Sequence, residues 1–191
     1  TLNSLPSTFF SLTGFYFFKK FMNTKLEKNL FFSSILLGCG FLIRNDIILI
    51  VIPIFIVFLY LLRNNEHKIR KFVTFVIPLF SFYFISLLEE YVKFHNIPFN
   101  RVISFIDPTT QSSTDTFFEN IFGLLFSPGV GLFIFVPILL TVFFSFPQFY
   151  KKHKIESLLF ISVAGLFIIN SASLQSWHGL VSWGPRYLIP V

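Results

Sequence analysis

The chain consists largely of long apolar runs that are separated by short polar breaks. A helix crosses a hydrocarbon core about 30 Å thick with about 20 predominantly apolar residues. Charged residues make up 13% of the 191 residues, about half of the roughly 25% typical of soluble domains. This composition excludes a soluble domain and predicts an all-α fold, a polytopic transmembrane helix bundle. The runs are Leu5–Phe18, Leu30–Ile43, Ile47–Leu62, Phe72–Leu88, Val130–Phe149 and Ser157–Leu174, with a seventh beginning at Tyr187.

The basic residues predict the orientation of these runs. They form three clusters, and by the positive-inside rule the clusters are cytoplasmic. The remaining long connections, 91–120 and 175–186, mix charges of both signs with Ser, Thr, Asn and Pro, and they are predicted to face outside. This clustering also explains the formal charge of +6 without nucleic acid as a partner. The clusters are Lys19, Lys20, Lys25 and Lys28; Arg63, Lys68, Arg70 and Lys71; and Lys151, Lys152 and Lys154.

The second and third runs are interrupted by Arg44, Asn45 and Asp46. A single long helix would place the first two basic clusters on opposite sides and bury two charges, each at a cost of about 2.5–3.5 kcal/mol. Two short helices keep both clusters inside, so we predict two. Arg44 and Asp46 then either lie in an outward-facing recess or form a local ion pair that caps two helix ends. Prolines 53, 78 and 137 lie inside runs and predict bent helices.

The ends of the chain and its cysteine content bear on its organisation. The chain opens at Thr1 without a start Met and closes in an apolar run at Val191. We therefore expect residues 1–191 to form a single transmembrane domain that is a fragment of a longer chain. Cys39 is the only cysteine, which excludes an internal disulfide and a cysteine-rich metal site.

The outer connection 91–120 is longer than ordinary turns, and such loops are often functional. Thr116 and Glu119 have capping-box spacing, which predicts an interfacial helix over 117–126 on the outer face. The carboxylates of this region, Asp107, Asp115 and Glu119, are catalytic, bind a divalent metal, or only cap and solvate the loop. No other cofactor is indicated. Ser127 and Pro128 suit the start of a new helix, and the Gly129–Gly131 pair indicates a tight turn or an anion site.

The last outer segment holds both tryptophans of the chain. Trp177 and Tyr187 fit an aromatic belt at the headgroup level. The belt does not account for Arg186, which follows Gly184 and Pro185 and has the geometry to clamp a phosphate. His178 is a weaker candidate base, and the remaining histidines show no metal-ligand spacing.

Three segments resemble polytopic glycosyltransferases of the GT-C class, in particular the protein-mannosyltransferase-like and lipid-A-sugar-transferase-like branch. They are Trp177–Leu188, Leu125–Pro137 and, more loosely, Phe41–Asp46. The sequence departs from this pattern at Leu180 and Val130. Leu180 follows Gly179 where members often have a second glycine, and many members have a basic residue at the position of Val130.

The resemblance implies an outward-facing cavity in which a sugar passes from a polyprenyl-phosphate donor to a lipid, glycan or protein acceptor. The catalytic acid of this class is expected in the first outer loop, which would lie before Thr1, so no catalytic residue is named here. The candidate substrate-binding residues are Arg186, Trp183, Tyr187, Trp177, His178, Arg44 and Arg101. The closer resemblance to prokaryotic members predicts a prokaryotic plasma membrane protein. It leaves the sugar, the acceptor and the oligomeric state open.

Two other functions fit parts of the pattern. A transporter or flippase for a lipid or small solute also uses short, broken helices, but it predicts charges at mid-span and a repeat between halves. A non-catalytic membrane scaffold predicts short outer loops without clustered Trp and Arg. Neither expectation matches the sequence, so the transferase is the preferred hypothesis.

Overall fold

In the computed structural model, residues 4–63, 67–94, 114–128 and 131–173 are described, and their regular structure is entirely helical. The all-α fold class is therefore confirmed. The chain divides into two compact units near residue 100. The first contains α1 (Ser4–Thr24), α2 (Glu27–Ile43), a 3₁₀ turn (Asn45–Ile47), α3 (Ile48–Leu62) and α4 (Lys68–Phe94). The second contains α5 (Thr114–Phe126), α6 (Leu132–Phe135), α7 (Leu139–Lys152) and α8 (Lys154–Ala172).

The first unit begins with an antiparallel hairpin of α1 and α2. The two helices approach closely because small residues line their contact. The Ser33 hydroxyl donates to the Gly14 carbonyl across 2.8 Å, and the side chain of Leu37 fills the space above Gly14. At the turn, the Asn29 amide donates to the Thr24 hydroxyl across 2.8 Å. These contacts resemble those of membrane helices, where small and hydroxyl-bearing residues let backbones approach.

Helix α2 also packs against α4, and these two helices run parallel. Residues later in α2 contact residues later in α4, as in a parallel pair. Glu27 pairs with Arg70 at one end, the Ser34 hydroxyl donates to the Phe75 carbonyl further along, and Phe41 meets Tyr83 with ring centroids 5.8 Å apart. Gly38 lies between them, directly against the Phe82 ring.

Helix α3 runs in the opposite direction to α2 and α4, and it connects the end of α2 to the start of α4. Ile47 lies against Gly40 near the end of α2. Eleven residues later, Phe58 contacts Phe21 near the end of α1, with a centroid distance of 6.4 Å. The chain therefore reverses at Arg44–Asp46, and the prediction of two helices instead of one is confirmed. The first two basic clusters lie at the same end of the unit.

Four buried phenylalanines form the centre of the first unit. Phe18, Phe21, Phe58 and Phe75 are at most 1% exposed, and they come from α1, α3 and α4. Phe75 is the hub, since its ring lies 4.6 Å from Phe58 and 6.3 Å from Phe18. Phe41 is buried as well, whereas many of the other aromatic residues of the unit are exposed, as expected for surfaces in contact with lipid.

The second unit differs from the sequence predictions at three points. Helix α5 begins at Thr114, so Thr116 lies inside the helix and not at a capping box. Ser127 and Pro128 follow the helix in a turn and do not start the next one, which begins at Leu132 with Gly131 as its N-cap. Of the tight turn expected for the two glycines, Gly129 lies outside the described residues. At its described end, the Gly131 N–H donates to the Ser127 carbonyl across 2.6 Å.

The third difference is that the run Val130–Phe149 forms two helices, α6 and α7, where a single kinked helix was predicted. The break falls at Val136–Ile138. A proline inside a helix removes one hydrogen bond and clashes with the carbonyl four residues earlier. Tolerance of such a proline depends on neighbours that satisfy the freed groups. Within the described part of the second unit, α6 and α7 bury none of their residues. Pro147 nevertheless lies inside α7, so burial alone does not distinguish the two prolines.

Two helices in the described residues are long and apolar enough to cross a membrane, over Lys68–Glu89 and Lys154–Ala172. Two shorter apolar stretches, Ile48–Leu62 and Phe117–Phe126, fall below that length. The second of these is the stretch predicted as an interfacial helix.

Candidate functional site

The junction between α2 and α3 is the candidate site that the structure describes. Helix α2 ends because Arg44 turns to an extended conformation, with φ −149° and ψ 129°. Its N–H still closes the last turn by donating to the Gly40 carbonyl across 3.0 Å. The 3₁₀ turn then leads into α3. The Ile47 side chain fixes this turn against α2, because it is buried (3% exposed) and lies against Gly40. We call Arg44, Asp46 and this turn the corner.

The guanidinium of Arg44 donates from Nη2 to Oδ2 of Asp46. The two side chains are 26% and 34% exposed, so the pair is partly open to solvent. Each charge lies at the favourable helix end, since a cation is stabilised at a C-terminus and a carboxylate at an N-terminus. This arrangement is the ion pair that caps two helix ends, one of the two alternatives that the sequence allowed.

The corner lies at the end of the first unit opposite to the basic clusters. This follows from the direction of the helices, because α1 and α3 end, and α2 and α4 begin, where the clusters lie. Helix α4 continues past the corner. Tyr83 is level with Phe41, and the eleven residues from Tyr83 to Phe94 rise about 16 Å. Helix α4 therefore extends beyond the level of the corner.

Arg44 retains donors for a ligand. A guanidinium has five N–H groups in a planar fork, and the contact with Asp46 uses Nη2. A partly exposed Arg with donors left over suits a phosphate or a sugar hydroxyl. Asp46 orients the guanidinium of Arg44 and lowers the net charge of the corner.

The other predicted binding residues, Arg101, Trp177, His178, Trp183, Tyr187 and Arg186, lie outside the described residues. The structure therefore places Arg44 alone among the seven. The carboxylate candidates Asp107 and Asp115 are likewise outside the region with described side chains, whereas Glu119 is exposed on α5. In the described residues no group of three His, Cys, Asp or Glu side chains could hold a metal ion.

Two polar contacts were not foreseen from the sequence. Glu27 and Arg70 form an ion pair 2.9 Å long between α2 and α4. In the second unit, the Asn120 amide donates across 3.0 Å to the Ala172 carbonyl and joins α5 to α8. Both join residues distant in sequence, and no spacing rule predicts such pairs.

A double-mutant cycle measures the strength of the corner pair. We expect Asp46→Asn, which removes the charge and keeps the shape, to lower the free energy of unfolding by about 1 kcal/mol, at the upper end of the range for exposed ion pairs. Arg44→Gln should have a similar effect, and the double variant should cost less than the two single changes together. Unfolding of the purified protein in mixed micelles by a denaturing detergent gives these values. Strictly additive effects would show that the two charges do not interact.

The geometry of the first unit can now be compared with known proteins. Residues 2–88 match the profile of the dolichyl-phosphate-mannose-protein mannosyltransferase family. This part of the chain is similar to that family of GT-C type glycosyltransferases. The matched segment covers a little under half of the 191 residues and contains α1, α2, α3 and most of α4. The resemblance to GT-C enzymes predicted from the sequence is confirmed.

The family match includes one of the three segments on which the resemblance was based. Of the three segments that suggested the resemblance, it includes Phe41–Asp46, the loosest, whereas Leu125–Pro137 and Trp177–Leu188 lie outside it. No curated protein and no solved structure matches the chain. The match supports a membrane glycosyltransferase that uses a polyprenyl-phosphate sugar as donor.

Proposed function

We propose that this protein is a multi-pass glycosyltransferase of a prokaryotic plasma membrane that transfers a sugar from a polyprenyl phosphate to a lipid, glycan or protein acceptor on the outer face. The observation that carries the proposal is the coincidence of the family match with the first unit. Within that unit the basic clusters lie at one end and the corner at the other. By the positive-inside rule the basic end is cytoplasmic, so the corner faces outside.

The chemistry required is a displacement at the anomeric carbon. The acceptor oxygen forms a bond to that carbon as the bond to the phosphate oxygen breaks, and the configuration inverts. A carboxylate takes the proton of the acceptor hydroxyl. The polyprenyl phosphate leaves with the electron pair, and cations stabilise the charge that it gains.

The cations proposed for the leaving phosphate are Arg186, with Arg44 and Arg101 as weaker contributors. Arg44 is supported by its donors and its place at the proposed outer end, although Asp46 offsets its charge. Trp177, Trp183 and Tyr187 are proposed to stack on the sugar or to line the isoprenoid groove, and His178 to contact the acceptor. Carboxylates in the outer loop are the groups that a divalent metal would use.

The test is binding and transfer of a polyprenyl-phosphate sugar by the full-length protein in lipid nanodiscs. We expect saturable binding by the wild type. Arg186→Ala should weaken it by about 2 kcal/mol, the scale of a hydrogen bond to a charged group, which is about thirtyfold. Arg44→Ala should weaken it less, because Asp46 already shares its charge.

Lys152→Ala is the matched control, because it removes an exposed cation from the end of α7 and should leave binding unchanged. Absence of binding by the wild type would reject the transferase. Normal binding and transfer by Arg186→Ala would reject the phosphate role of that residue.

A further inference from the structure

The basic end of the first unit gathers cations from all four helix ends. Lys20 and Lys25 lie at the end of α1, Lys28 at the start of α2, Arg63 at the end of α3 and Lys68 at the start of α4. All five are exposed. The sequence predicts this clustering only as an orientation signal. The structure adds that four separate segments bring the charges to one surface, which we call the basic surface.

The described residues of the basic surface carry little negative charge. Glu27 is the one carboxylate that the structure describes there, and it is already paired with Arg70 at 2.9 Å. None of the five exposed cations forms an ion pair within the described part of the chain. The described part of the surface therefore carries an excess of positive charge that an external anion can balance.

Helix stability does not explain the arrangement. Helix α4 has three cations in its first turn and no acidic residue there, although the macrodipole makes the N-terminus unfavourable for positive charge. Lys25 adopts a left-handed backbone conformation with φ 56°, which glycine adopts at lower cost. The cations are thus placed where local backbone energetics do not favour them.

Apolar side chains protrude among these cations. Ile69 is 82% exposed in the first turn of α4, and Leu26 is 47% exposed in the turn between α1 and α2. Exposed aliphatic residues beside lysines are typical of surfaces that lie at the boundary of headgroups and acyl chains. Lysine stems extend along apolar surface while their ammonium groups reach the headgroups. The apolar segment of α4 that could cross the membrane begins at Lys68, which puts this surface at that boundary.

From these observations we propose that the basic surface binds the headgroups of anionic phospholipids in the adjacent leaflet. Clusters of four to eight Lys and Arg next to a membrane helix attract acidic lipids through their charge. The phosphodiester of the lipid supplies the missing anion, and its acyl chains cover Ile69 and Leu26. This proposal rests on the membrane embedding of the proposed function and is independent of its chemistry.

The experiment measures lipid selectivity around the full-length protein. The protein is reconstituted in phosphatidylcholine, and spin-labelled phosphatidylglycerol or phosphatidylcholine reports the lipid held at its surface. We expect phosphatidylglycerol to be preferred by about threefold or more, and the preference to fall with added salt because exposed charges are screened. The variant Lys20→Gln, Lys25→Gln, Lys28→Gln, Lys68→Gln should remove most of that preference.

Two comparison variants locate the effect. Lysine-to-arginine changes at the same four positions keep the charge and should keep the preference. Lys151→Gln, Lys152→Gln, Lys154→Gln removes a basic cluster from the second unit and should reduce the preference less than the first variant does. An unchanged preference in the four-lysine glutamine variant, an equal loss in the second-unit variant, or no preference in the wild type would overturn the proposal. If the wild-type protein prefers phosphatidylglycerol but transfers no sugar, the transferase proposal is rejected and the lipid proposal stands.

Discussion

Replacing Gly38 by leucine is expected to force α2 away from α4. A Cβ at position 38 would lie 2.6 Å from Cδ2 and 2.9 Å from Cβ of Phe82. The Phe82 Cβ moves only with the backbone of α4, so rotation of the ring cannot remove the clash. Overpacking of this kind costs about 1–3 kcal/mol, and we expect about 3 kcal/mol because leucine adds four carbons.

Gly165→Leu is the matched control for this change. Gly165 lies inside α8, and a Cβ there would meet nothing within 4 Å. The same substitution should therefore change stability little, or increase it slightly because glycine disfavours helices. Unfolding in mixed micelles compares the two variants with the wild type. Equal stability of both variants would show that α2 and α4 do not pack at Gly38.

Replacing Phe75 by alanine is the second change with a large expected effect. Its ring is fully buried, stacks on Phe55 at an interplanar angle of 14° and contacts Phe58 and Phe18. Truncation of a buried Phe costs about 3–5 kcal/mol in soluble cores. In a membrane the transfer contribution is smaller, because lipid chains are as apolar as the core. We expect a loss of about 3 kcal/mol, mostly from the cavity.

Phe80→Ala separates this packing from general loss of aromatic surface. Phe80 lies on the same helix, five residues further along, and is 63% exposed. It should cost less than 1 kcal/mol, as is usual for exposed positions, measured by the same unfolding assay. If Phe80→Ala were as damaging as Phe75→Ala, the hub would have no special role.

The sequence predicts the helices of the first unit well because charge and apolarity agree there. The break at Arg44–Asp46 follows from the cost of burying two charges, and it occurs within one residue of the predicted position. The helix ends extend further than the apolar runs. Helix α4 begins at Lys68 and ends at Phe94, because backbone hydrogen bonding continues into polar residues that hydropathy assigns to loops.

Predictions in the second unit were weaker because local signals there have more than one meaning. Ser127 followed by Pro128 is typical of a helix start, yet the same residues form a turn that ends α5. Only the backbone shows the reason. A Cβ at Gly131 would lie 2.5 Å from the Ser127 carbonyl oxygen, so the chain folds back tightly there. The helix breaks at Pro137, whereas Pro147 lies inside α7 without breaking it, and no spacing rule separates the two prolines.

The candidate site could be predicted in part. Arg44 and Asp46 stand two residues apart, which makes an ion pair an obvious expectation. Their position opposite the basic clusters also follows from the prediction of two helices, and the directions of the four helices agree with it. The contacts between α2 and α4 join residues about forty positions apart, and hydrophobic periodicity contains no information on such pairs.

The parallel arrangement of α2 and α4 constrains the order in which the first unit assembles. The hairpin of α1 and α2 uses contacts between neighbouring segments, such as Ser33 with Gly14, 19 residues apart. The Ser34–Phe75 contact spans 41 residues and becomes available only after α3 has been synthesised and has run back. During biogenesis the hairpin therefore waits with its second face, Ser34 and Gly38, uncovered. The interval between the synthesis of α2 and that of α4 is therefore the period in which this face lacks its partner.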